Sequence, residues 1–65
     1  MNATDLLMEL LEKGHAHKVA SIRSDPLRPD TYLDIFDHND EPIGYADIKA
    51  EVVFMLNSEH QVVKI

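Results

Sequence analysis

The sequence predicts an α+β fold, with one short N-terminal helix packed on a small antiparallel sheet of about four strands. The first observation is a Leu-rich segment near the start that ends at a glycine. The second is a series of short runs rich in β-branched and aromatic residues, separated by polar turns. The third is the length, 65 residues, which allows one domain with a small core. We therefore expect residues 1–65 to form a single small domain.

The helix is predicted over Asp5–Lys13. A Thr4 hydroxyl can accept a hydrogen bond from a free amide of the first turn, and Gly14 suits the left-handed position after a helix. A helix shorter than about 12 residues is marginal in isolation, so this one must dock on its own sheet or on a partner chain. Its predicted apolar face contains Leu7, Leu10 and Leu11, flanked by Leu6 and Met8.

Two strands and a loop are predicted next. Residues 18–23 suit a short strand, although their alternation is poor. Residues 24–30 contain two prolines, which remove amide donors and favour a surface loop. Residues 31–37 alternate well, with Leu33 and Ile35 on one face. The opposite face of that strand would carry Tyr32, Asp34 and Phe36.

A hairpin follows, because residues 38–42 have turn chemistry and residues 43–47 suit a return strand. In the matching register, Tyr45 would join Tyr32 and Phe36 on one face. No internal repeat is evident in the sequence.

Residues 47–57 allow two structures. A helix would use Asp47 as its cap. A strand over 51–56 would instead turn at 57–60 and pair with 61–65, and the β-branched runs favour this second structure. A short apolar strand at a sheet edge can also pair with another chain.

Composition limits the partners. The formal net charge of −6 disfavours broad binding to nucleic acids and to anionic membranes. The positive charge concentrates in residues 13–28, so nucleic-acid or nucleotide binding through this segment is an alternative function. There is no Cys, and no apolar stretch approaches the ~20 residues of a membrane span. We expect a soluble, cytoplasmic protein without membrane contact.

Chemistry-bearing motifs are absent from the sequence. It contains no nucleophile motif and no phosphate-binding loop. The spacing of the four histidines matches no zinc pattern. We predict no catalytic residue, cofactor or metal ligand, and we retain a small enzyme or enzyme subunit as a third hypothesis. The histidines in question are His15, His17, His38 and His60.

The favoured function is therefore a non-enzymatic protein-binding module, which regulates or inhibits a partner by occupying its surface. Tyr and Arg are enriched at binding hot spots. Arg23, Arg28, Tyr32 and Tyr45 are the candidate contact residues. A homodimer is also expected, because a core of this size supplies only ~3–5 kcal/mol of net stability.

Overall fold

The computed structural model describes all residues from Met1 to Ile65 and confirms the α+β class. One helix, α1 (Ala3–Glu12), packs on an antiparallel sheet of five strands, one more than predicted. Each strand is hydrogen-bonded to the next in chain order. The strands are β1 (Ser21–Ser24), β2 (Tyr32–Phe36), β3 (Pro42–Asp47), β4 (Val52–Leu56) and β5 (Val62–Lys64). The alternative helix over 47–57 is wrong, because these residues form a turn and β4.

Helix α1 begins at Ala3 rather than Asp5, because its cap is Asn2 and not Thr4. The Asn2 side-chain oxygen accepts a hydrogen bond from the Asp5 N–H at 2.8 Å, and the Asp5 carboxylate accepts one from the Asn2 N–H at 3.2 Å. This reciprocal capping box satisfies two amides at once, which a Thr4 cap would not. At the other end Gly14 has a φ of 78°, as predicted.

The predicted apolar face of α1 is correct for Leu10 but wrong for Leu7 and Leu11. Leu6 and Leu10 are fully buried against the sheet, whereas Leu7 and Leu11 are 42% and 59% exposed. The helix carries two parallel leucine pairs, each spaced four residues apart. Only docking on the sheet decides which pair faces inward.

The first strand also differs from its prediction over 18–23. A single 3-10 turn occupies Ala16–Lys18, and β1 begins only at Ser21. The Lys18 N–H donates to the His15 carbonyl at 3.1 Å, which explains the poor alternation of this segment. Val19 and Ile22 pack at the edge of the core.

The core lies between α1 and one face of the sheet. It contains seven buried residues, all apolar. As predicted, Leu33 and Ile35 of β2 point into it. The remaining sheet residues of the core are Ala46, Val53 and Met55.

The β2–β3 and β4–β5 loops have the same structure. In each, the first residue (Asp37 or Asn57) accepts two backbone N–H hydrogen bonds with one side-chain oxygen, at 2.9 and 3.0 Å. The fourth residue, Asp40 or His60, is left-handed with a φ of 62° or 59°. Both turns were predicted from the sequence, but their common structure was not, since the two loops share little beyond a leading Asp or Asn.

Neither helical segment has the length and apolar character that a membrane crossing requires.

Candidate functional site

The sheet face opposite α1, here called the outer face, is covered by no other element. Residues paired directly across neighbouring antiparallel strands share a face. The strand registers therefore align one row of side chains across all five strands. That row consists of Arg23, Asp34, Tyr45, Phe54 and Lys64.

Three aromatic rings in contact form the centre of the outer face, and we call them the aromatic platform: Tyr32, Tyr45 and Phe54. The Tyr45 and Phe54 rings are stacked, with centroids 5.0 Å apart and planes at 26°. Tyr32 meets Tyr45 at 88°, with centroids 5.6 Å apart. All three side chains remain partly exposed. As predicted, Phe36 lies on the same side of β2 as Tyr32, away from the core.

The two candidate arginines lie beside these rings. The Arg23 guanidinium is 3.9 Å from the centroid of the Phe36 ring, and it also forms an ion pair with Asp40. The Arg28 guanidinium is 5.9 Å from the centroid of Tyr32, near the ~6 Å limit for a cation–π contact. The four residues singled out from the sequence thus share one face, with Arg28, Tyr32 and Tyr45 around a single concavity.

Two carboxyl groups that the sequence analysis did not select also face this concavity. Asp25 accepts hydrogen bonds from the backbone N–H groups of Leu27 and Arg28 at 2.9 and 3.0 Å. Asp34 lies on β2 between Arg23 and Tyr45, and its carboxyl group lines the same concavity as that of Asp25. Asp34 has no ion pair, because Arg23 is bonded to Asp40 instead.

The two carboxyl groups differ in acidity. Burial raises the pKa of Asp34 above its ordinary value, and the neighbouring carboxyl group of Asp25 raises it further. The hydrogen bond from the Arg28 backbone N–H holds the pKa of Asp25 below its ordinary value. As the pH falls, the proton therefore binds Asp34 first.

The concavity has a volume of about 430 Å³ and opens to solvent. We call it the Tyr–Asp pocket, after Tyr32, Tyr45, Asp25 and Asp34, which line it together with Arg28. Its wall is completed by Pro42, Gly44, Leu56 and Val62. The pocket combines aromatic surface with negative charge, an arrangement that attracts cations.

The histidines occupy a different part of the molecule. His17, His38 and His60 line a second cleft of about 440 Å³, where the repeated loops approach the 3-10 turn. The His15 Nδ1 is buried without a hydrogen-bond partner, and burial lowers the pKa of this imidazole. No three His, Asp or Glu side chains are arranged to hold a metal ion.

The basic segment 13–28 does not form one continuous surface. Lys13 pairs with Glu9 on α1 at 3.9 Å, and Lys18 lines the histidine cleft. Only Arg23 and Arg28 belong to the outer face.

Comparisons of the chain with protein-family models, with curated proteins and with solved structures found no match.

Proposed function

We propose that this protein is a non-enzymatic protein-binding module, which regulates or inhibits a partner by occupying the partner's surface with its outer face. The observation that carries the proposal is the uncovered aromatic platform, flanked by Arg23 and Arg28.

The composition of this face supports the proposal. An antiparallel sheet with one side in water normally alternates apolar and polar residues, with the polar ones outward. Here the outward positions at the centre of the sheet carry three rings, of which the middle one, Tyr45, contacts both others. Tyr and Arg contribute disproportionately to protein interfaces, because a rigid ring or guanidinium buries a large area at little entropic cost.

The charge of the same face favours a protein over a nucleic acid. Asp25 and Asp34 lie beside the rings on which bases would have to stack, and they repel phosphates. The chain as a whole carries six net negative charges. Protein surfaces, unlike nucleic acids, offer cations as well as apolar area.

The test is a pull-down at micromolar bait with the wild-type protein and with Tyr45→Ala, followed by measurement of the affinity for each partner captured. We expect the Tyr45 variant to bind at least about tenfold more weakly, as befits a hot-spot residue at the centre of an interface. Met8→Ala, a change on the exposed side of α1, serves as the matched control and should leave the affinity unchanged.

Thermal melts establish whether Tyr45→Ala still folds, and Arg28→Ala provides a second variant at an exposed position. The proposal fails if no specific partner is captured. It also fails if a captured partner binds both outer-face variants as tightly as it binds the wild-type protein.

A further inference from the structure

We propose that the Tyr–Asp pocket receives a cationic side chain, an arginine in preference to a lysine, from the protein partner. This inference rests on the proposed function and specifies the chemistry of the partner residue that enters the outer face.

The carboxyl groups of the pocket have no ion-pair partner within the chain. The chain has three ion pairs, and none of them includes Asp25 or Asp34. Arg23, directly opposite Asp34 on β1, is turned towards Asp40 and the Phe36 ring. A partly buried carboxylate without a cation is unfavourable, and a cation from a partner would remove this penalty.

The net charge of the pocket is negative and therefore favours a cation. With both carboxyl groups ionised and the Arg28 guanidinium counted, one negative charge remains. One additional cation brings the pocket to neutrality, whereas an anionic or neutral group leaves Asp34 unpaired. A divalent metal ion fits poorly, because such ions take six or more oxygen ligands and two carboxyl groups cannot supply them.

The aromatic lining of the pocket also favours a cation, and arginine over lysine. Aromatic rings attract cations, and arginine stacks on rings more often than lysine. Arg28 already approaches Tyr32 at 5.9 Å, so the chain's own guanidinium uses this ring. Arginine also has a planar fork of donors that can bond two neighbouring carboxylates together, which an ammonium group matches less well.

The volume of the pocket matches a single side chain. A volume of about 430 Å³ lies in the lower part of the ~300–1,000 Å³ range of small-ligand sites. This space suits one inserted side chain, and the rest of the partner would lie across the aromatic platform.

The experiment is an NMR titration of the isotope-labelled protein with two short peptides, acetyl-Gly-Arg-Gly-amide and its citrulline analogue. Citrulline keeps the shape of arginine but lacks its charge. We expect saturable shifts of the Tyr32, Asp34 and Tyr45 amides with the arginine peptide and none with the citrulline peptide. Asp34→Asn should weaken arginine binding at least about fivefold.

Glu59→Gln is the matched control, because it removes one negative charge from an exposed loop outside the pocket. It should change the affinity less than twofold, which is smaller than the loss expected for Asp34→Asn. Equal shifts with both peptides would overturn the inference, as would equal losses from the Asp34 and Glu59 variants.

The experiments distinguish a failure of the cation proposal from a failure of the proposed function. A captured partner that is lost on Tyr45→Ala but binds Asp34→Asn normally would retain the proposed function and reject the cation. Failure to capture any partner, together with specific arginine binding in the pocket, would reject the proposed function alone.

Discussion

Asp34 is the residue at which the proposed binding and the stability of the fold conflict. Its position on β2, between Arg23 and Tyr45, holds a carboxyl group against the rings of the outer face. No ion pair in the chain includes that group, and burial raises its pKa. The position of Asp34 is therefore better explained by the proposed binding of a cation than by a contribution to the stability of the fold.

We predict that Asp34→Asn raises the thermal stability at neutral pH. A carboxyl group with a raised pKa in the folded state contributes fully to stability below its ordinary value of 3.8, and this contribution is lost as the pH rises through the raised value. Asparagine resembles the protonated acid and can donate to Asp25 at every pH. The difference in Tm from the wild-type protein should be largest near pH 7 and vanish towards pH 3–4.

Melting curves of the two proteins across this pH range provide the measurement, with Glu59→Gln as the control. A variant at Asp34 that melts below the wild-type protein at neutral pH would show that the carboxylate stabilises the fold after all.

The site could be predicted from the sequence only in part. Tyr32 and Tyr45 followed from strand alternation and from the known preferences of interfaces. Asp25 and Asp34 could not be paired, because their proximity depends on the register between β1 and β2. A first strand placed at 18–23 gives no reason to bring them together.

At the scale of the elements, α1 shows the limit of periodicity. Leu6 and Leu10 form one stripe, and Leu7 and Leu11 form the adjacent stripe, one residue further around the helix. Both stripes are equally apolar, so no pattern can choose between them. The helix and its covering of the sheet were predictable, whereas its rotation about its own axis was set by contacts with β2, β3 and β4.

This rotation predicts that the same Leu→Ala substitution will reduce the stability of the protein by very different amounts at two neighbouring positions. Leu10→Ala should cost about 2–5 kcal/mol of unfolding free energy, because the side chain is fully buried and leaves a cavity. Leu11→Ala, at a position 59% exposed, should cost less than about 0.5 kcal/mol. Urea denaturation measures both free energies of unfolding, and a larger loss for Leu11→Ala than for Leu10→Ala would mean that the helix is docked on its other stripe.

For the molecule as a whole, the decisive feature is that the sheet is open at both ends. The strand order is linear from β1 to β5, so each outer strand leaves one side of its backbone unpaired. On β5, Val62 and Val63 are 56% and 39% exposed. With only seven buried residues in the core, pairing of this edge with a second copy would add apolar contacts that the single chain lacks.

We therefore predict a homodimer in which two β5 strands pair and their sheets continue into one. Light scattering across a concentration series should show the mass rising from 7.4 kDa towards twice that value. Val62→Lys should keep the protein monomeric, because a charged side chain on an edge strand opposes pairing. Leu27→Lys makes the same change at a position 87% exposed on a loop, and this variant should dimerise normally. A mass of 7.4 kDa for the wild-type protein at every concentration would rule out the dimer and assign each aromatic platform to a separate molecule. A dimer would instead join the two outer faces into one surface, which offers two Tyr–Asp pockets to a single partner.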